Sequence, residues 1–154
     1  MKRPGFTLVE LMIIITIIAI LAAIAIPKFA DLLRTSQEGS TKGNLGSIRS
    51  ALSLYYGDNS FYPIAPWNTN SSVLTDTLVP KYISSIPQAK IGAFHPDTTL
   101  VFAQNSISVG GTPDGQTGWV YDSQPPGFSI DSDWGQAWIN CSHTDSKSSV
   151  WTNY

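Results

Sequence analysis

The sequence predicts an α+β protein: one long N-terminal α-helix, its first half apolar enough for a membrane and its second half amphipathic, packed on a small antiparallel β-sheet domain. Three observations predict it. From Leu11 to Ile26 every residue is apolar except Thr16. Leu45, Ile48, Leu52 and Tyr55 then recur at spacings of three, four and three, a narrow helical stripe of the kind that docks on a globular body. After Pro63 the composition turns to Ser, Thr, Asn, Gly and Pro around short apolar runs, the pattern of strands punctuated by turns.

Composition bounds the function. The chain has 154 residues, of which 13% are charged, and its formal net charge is -2, which suits one domain with an apolar appendage. Its one Cys excludes an intramolecular disulfide framework. The 9 Lys and Arg residues are scattered and outnumbered by 11 acids, so a basic nucleic-acid patch is not expected.

Taken in order, the apolar run sits between Lys2 and Arg3 on one side and Lys28 on the other. Extended back to Phe6 it has 21 residues, which at ~1.5 Å each span roughly the 30 Å hydrocarbon core of a bilayer. A secretory signal would instead close at small residues, and Ala22, Ala23 and Ala25 imitate such a site. The helical period continuing from Lys28 to Arg34 argues against cleavage there. Lys2 and Arg3 are the only side-chain cations ahead of the span, so the positive-inside rule places the N-terminus in the cytoplasm and the remainder outside. Lys28 and Arg34 on the far side are interleaved with Asp31 and Glu38.

Pro27 lacks an amide donor, so a kink or loosened turn is expected around Ala23 to Pro27 before the helix resumes. Gly39, Gly43 and Gly46 each weaken the helix by ~1 kcal/mol relative to Ala, and they read as local flexibility or close packing. Gly57, Asp58 and Asn59 supply a stop. Helix is therefore expected from Phe6 to Tyr56.

Glu10 does not fit an inert anchor. An acidic residue in mid-bilayer costs ~2.5–3.5 kcal/mol on translocon scales, so Glu10 either reaches water at the interface or meets a cation. Its neighbours suggest which. The run Lys2-Arg3-Pro4-Gly5-Phe6-Thr7-Leu8-Val9-Glu10-Leu11 resembles the processing signal of type IV pilins and pseudopilins: a short basic leader, a Gly, a Phe, and a Glu four residues on. The resemblance continues to Ala22-Ala23-Ile24-Ala25-Ile26-Pro27-Lys28-Phe29 and covers residues 3 to 34. It implies that a prepilin peptidase cuts after Gly5 and methylates the new amino terminus at Phe6. It also implies that Glu10 pairs with a neighbouring subunit's amino terminus during assembly.

Beyond the span, Ala51-Leu52-Ser53-Leu54-Tyr55-Tyr56-Gly57-Asp58-Asn59-Ser60-Phe61-Tyr62-Pro63 is similar to the helix end of major pseudopilins, a packing motif without chemistry. Leu74 to Ile83, around Pro80, reads as a short helix or turn. Leu100 to Ala103, Trp119 to Tyr121, Phe128 to Ile130 and Ala137 to Asn140 read as strands, separated by Gly110-Gly111, Asp114-Gly115 and Pro125-Pro126-Gly127. An antiparallel meander is expected. Gly118 to Asp122 and Ala137 to Asn140 are similar to the closing strands of pseudopilin-like proteins. The 17 aromatic residues fall mostly at strand and helix-end positions, where core packing explains them.

Candidate chemistry is sparse. No Gly-rich phosphate loop follows a strand, no GxSxG occurs, and two His leave little material for a triad; no enzyme and no cofactor are expected. Asp131 and Asp133 are candidates for calcium, with Asp145 as a further oxygen ligand, because the resembling secretion pseudopilins bind calcium in their C-terminal loop. Cys141, His143 and the distant His95 offer soft ligands, but C-x-H is not a standard zinc spacing. Coincidence is the default there, with Cys141 a small buried residue after a strand.

The resemblance implies the division of the chain: leader 1–5, transmembrane and assembly half of the helix 6–27, amphipathic half 28–57, and a β-rich globular domain 58–154. It implies a filament subunit, foremost the pseudopilus of a type II secretion system and alternatively a type IV pilus. A membrane-anchored binding domain that never polymerises is the reading from another class. The implied partners are identical copies in a helical filament, the prepilin peptidase and the inner-membrane assembly machinery. The implied location is the bacterial inner membrane, with the globular domain in the periplasm, and then a periplasmic or surface filament. Without residues 1–5 the chain carries seven bases against eleven acids, and from Ile91 onward one base, Lys147, against six. That balance disfavours nucleic acid as a partner.

Overall fold

The computed structural model describes residues 5–65, 69–70, 72–91, 95–104, 118–123, 134–151 and 154. They form two compact units, Met1–Thr35 and Ser36–Tyr154. Helix α1, Leu8–Asn59, has 52 residues and contributes to both.

Among the described residues of the first unit none is fully buried. Ile13, Ile17, Ile20, Ile24 and Phe29 all stand exposed, a surface that is costly in water and at home in lipid. A helix satisfies every interior backbone group within its own segment, as a hydrocarbon environment requires. The hydroxyl of Thr16, the polar exception in the run, donates back to the Met12 carbonyl. The helix runs unbroken through Pro27.

In the second unit α1 buries Leu45, Ile48, Ala51 and Leu52, with Tyr55 packed partly buried against the same core. That is the stripe expected from sequence. It extends further back than apolar counting suggests, because Glu38 and Thr41 continue the same spacing and are also buried. The helix ends at Asn59 rather than Tyr56, where Ser60 takes a left-handed φ of 64° and its amide donates to the Tyr56 carbonyl at 2.7 Å, an αL cap made without glycine. An added Cβ at Gly39, Gly43 or Gly46 would meet nothing within 4 Å, so close packing does not explain these glycines within the chain.

Helix α2, Val73–Leu78, buries Leu74 and Leu78 against that core. The sheet comprises β1 Thr69–Asn70, β2 Val101–Gln104, β3 Trp119–Asp122 and β4 Ala137–Ile139, in the order β1-β2-β3-β4. The α+β class holds, but the sheet is mixed rather than the antiparallel meander expected. β1 pairs β2 and β3 pairs β4 antiparallel, whereas β2 and β3 run parallel with Val101 opposite Trp119. Parallel strands need a crossover of about a dozen residues or more, and residues 105–118 supply that length. Phe128 to Ile130 and the turn signals at Gly110-Gly111, Asp114-Gly115 and Pro125-Pro126-Gly127 lie outside the described residues.

Trp119, Tyr121, Ile139 and Trp151 meet Leu45, Ile48 and Leu52 in one core, each such large apolar side chain contributing about 1.5–3 kcal/mol on full burial. The polar ends of the aromatics are satisfied: Trp119 Nε1 donates to the Pro87 carbonyl at 2.8 Å and Tyr121 OH to the Pro63 carbonyl at 2.7 Å. Gly135, at φ 83°, lies where a Cβ would come within 2.3 Å of the Tyr62 ring, so the position requires glycine.

Candidate assembly site

Gly5, Phe6 and Thr7 precede the helix in non-helical conformation, so the Gly5-Phe6 bond stands outside the hydrogen-bonded ladder. Phe6 is 68% exposed. Thr7 and Glu10 then close the helix start on themselves. The Thr7 amide donates to Glu10 Oε2 at 2.8 Å, the Thr7 hydroxyl donates to the same oxygen at 2.7 Å, and the Glu10 amide donates to Thr7 Oγ1 at 3.2 Å. This is a capping box, with Thr at the N-cap and Glu three residues on. Considering Glu10 for its charge alone misses it, although Thr-x-x-Glu ahead of an apolar run is the signal. The carboxylate therefore has two donors within its own chain before any cation approaches.

The C-terminal segment is tied to α1 by a second polar cluster that sequence reasoning missed. Glu38 accepts from the Ser146 amide at 3.0 and 3.1 Å and from its hydroxyl. Thr41 Oγ1 donates to the Lys90 carbonyl and accepts from the Lys90 amide, both at 2.8 Å. Lys42 Nζ reaches Asp145 Oδ2 at 2.6 Å and lies 3.8 Å from the centre of the Tyr154 ring, a cation–π contact. Asp145 also accepts from Tyr154 OH at 2.8 Å and from the Lys147 and Ser149 amides at 2.9 Å each. The Lys42 ammonium hydrogen bond, joined by these others, holds the Asp145 carboxyl well below the usual carboxylate range despite its burial. Burial works against the Lys42 charge, yet the Asp145 hydrogen bond leaves its pKa raised overall. Asp145, considered from sequence as a calcium ligand, instead spends both oxygens on these four donors. Asp131 and Asp133 lie outside the described residues.

His95, Cys141 and His143 come together, although their sequence spacing argued for coincidence. Cys141 Sγ and one nitrogen of each imidazole all lie within 4.8 Å of one another. His95 Nε2 is 3.2 Å from His143 Nδ1, which is 3.4 Å from Cys141 Sγ. Cys141 is buried and both imidazoles are half-buried. Burial, then the neighbouring His143, lowers the His95 pKa, and burial pushes the Cys141 thiol up against the opposing His143 backbone amide. The described residues thus offer an uncovered apolar helix surface with a capped acid, and a compact soft-ligand cluster in the globular unit.

Residues 1–26 match the family described as the prokaryotic N-terminal methylation motif. The chain is similar to type IV pilins and to type II secretion core protein G. It is 38% identical over 90 residues to the fimbrial protein EcpC of Eikenella corrodens, covering 58% of this chain and 57% of that one. It is 32% identical over 79 residues to the type II secretion system core protein G of Escherichia coli, covering 51% and 54%. It is 43% identical over 61 residues to the type IV major pilin protein PilA of Myxococcus xanthus, covering 40% and 28%. The chain thus spans about a quarter to three fifths of the length of these relatives. No solved structure matches.

Proposed function

We propose that the chain is a structural, non-enzymatic subunit of a helical filament, held in the bacterial inner membrane by residues 6–27 until it assembles through the same surface. The supporting observation is the uncovered apolar helix that begins at a capped Glu10, together with the methylation motif at residues 1–26. The N-terminus is cytoplasmic and the globular unit periplasmic. A prepilin peptidase cuts after Gly5, and Phe6 becomes the methylated amino terminus. In the stored subunit the Thr7 amide and hydroxyl stabilise the Glu10 carboxylate; in the filament the ammonium of a neighbour's Phe6 supplies the countercharge. Both charges lie in low dielectric there, so each relieves the other's desolvation.

Intact mass measurement of the purified protein tests the processing: a chain starting at methylated Phe6 is expected, and an intact Met1 or a start after Ala25 overturns it. Comparison of Glu10→Ala with Glu10→Gln tests the assembly. Both variants should reach the membrane and be cut, while filament yield collapses, because breaking a buried ion pair costs ~3–5 kcal/mol per contact. Normal filaments from both would reduce Glu10 to a helix cap.

The filament is a type II secretion pseudopilus on the strength of the helix end from Ala51 to Pro63 and the similarity to core protein G over 79 residues. A surface type IV pilus is the second reading, favoured by the 38% identity to the Eikenella fimbrial protein. Deletion of the chain separates them: loss of secreted proteins supports the first, loss of surface fibres with normal secretion the second.

A further inference from the structure

Nothing in a filament subunit's task calls for two imidazoles and a thiol on one point, yet His95, Cys141 and His143 converge within the globular unit. Two separately anchored segments bring them there. His95 lies in the loop closed by the Ala89–Thr98 bridge. Cys141 and His143 follow β4, where the Asn140 amide donates to the Gly118 carbonyl at 2.9 Å and the Trp151 amide to the His143 carbonyl at 3.2 Å. Hydrogen bonding alone serves the cluster poorly. His143 Nδ1 faces both His95 Nε2 and Cys141 Sγ, and one imidazole nitrogen has either one proton or one lone pair to share between them.

A metal serves all three. Tetrahedral zinc with about 2.0–2.1 Å to nitrogen and about 2.3 Å to sulfur places two nitrogen ligands about 3.3 Å apart and a nitrogen and sulfur about 3.6 Å apart. The observed separations are 3.2 Å for the two nitrogens and 3.4 Å for His143 Nδ1 and Cys141 Sγ. The third edge, within 4.8 Å, closes by a modest turn of the half-buried His95 ring. Copper of the blue type also takes two His and one Cys, usually with a weak axial Met; the two methionines here, Met1 and Met12, belong to the N-terminal unit. We propose that His95 Nε2, His143 Nδ1 and Cys141 Sγ bind one zinc-class divalent ion, with water in the fourth position. The Cys141 thiol gives its proton to solvent as the zinc–sulfur bond forms, and the ion staples the His95 loop to the segment after β4.

The test uses the full chain in detergent micelles, without a polyhistidine tag, stripped with a chelator and titrated with zinc chloride against a chromophoric competitor, and with cobalt(II) as the spectroscopic probe. The expected result is one zinc per chain, a thiolate-to-cobalt charge-transfer band, and a rise in Tm with zinc, as a ligand selective for the folded state requires. Cys141→Ser should abolish the band, and His95→Gln, at a half-buried position outside the core, should weaken zinc binding at least tenfold while the metal-free chain still unfolds cooperatively. Absence of the cobalt band in the parent chain, or zinc binding unaltered by both substitutions, would overturn the proposal.

Discussion

Four hydrogen bonds converge on the Asp145 carboxylate, and their energetic consequence is set by pH. Lys42, Tyr154 and the Lys147 and Ser149 amides depress its folded pKa, while the unfolded chain titrates near ~3.9. A depressed folded pKa contributes stability that is fully present above the unfolded value and is lost as pH falls through the folded one. Lys42 runs in the opposite sense: its raised pKa contributes below the unfolded value and is lost as pH rises through the folded one. Thermal melts of the full chain in detergent should therefore hold a plateau from neutral pH to about pH 5 and decline below pH ~4. Asp145→Asn should be less stable at pH 7 by about 1–3 kcal/mol, the worth of hydrogen bonds to a charged group, and should decline less steeply in acid. Identical acid limbs for parent and variant would show that the cluster holds the loop in place without stabilising the fold. Glu38 and Thr41 belong to the same lesson. They occupy stripe positions of α1 that an apolar count skips, and they are buried because Ser146 and Lys90 return hydrogen bonds to them.

At the scale of the element, the glycines of α1 invite a sharper test than their number suggests. Gly43 is exposed, helical and has nothing within 4 Å of an added Cβ, so Gly43→Ala should stabilise the subunit by about 0.4–1 kcal/mol through the unfolded chain. A higher melting temperature with filament yield unchanged is the expected pair of results if the glycine is only a weak point in the helix. A higher melting temperature with lost filaments would place a neighbouring subunit against it. The helix itself was legible because two independent periods, membrane hydropathy and the stripe from Leu45, join without a break. Its end was legible to within three residues, Asn59 against the Tyr56 read from sequence, because the αL residue proved to be Ser60 and not a glycine. Strands β2, β3 and β4 fall where Leu100 to Ala103, Trp119 to Tyr121 and Ala137 to Asn140 were expected. Their pairing was not legible: residues 105–118 contain turn signals that suit a hairpin, but their length also permits the crossover that makes β2 and β3 parallel.

For the whole molecule, legibility followed sequence separation. The N-terminal site was readable because Gly5, Phe6, Thr7 and Glu10 lie within one helical start, whereas His95 and His143 are separated by 48 positions, and only the pairing of distant segments brings them together. The same separation divides the energetics. Among the described residues, every buried apolar residue of the core, from Leu45 to Trp151, lies in the second unit, and the uncovered run from Phe6 to Leu33 lies in the first. Folding of the globular unit therefore draws its apolar stabilisation from residues that do not include the N-terminal apolar run. We predict that a fragment of residues 29–154 is soluble without detergent and unfolds in a single cooperative transition. Its ties through Glu38, Lys42 and Thr41 all survive the truncation, as does the docking stripe from Leu45 to Tyr55. Sedimentation should give the mass of one fragment, because the surface assigned to assembly has been removed with residues 6–28, and Phe29, Leu32 and Leu33 remain as a short exposed apolar patch of a size soluble proteins tolerate. Aggregation of the fragment, or a melt without a cooperative transition, would mean that the first unit is needed to fold the second, and the division at residue 28 would fall.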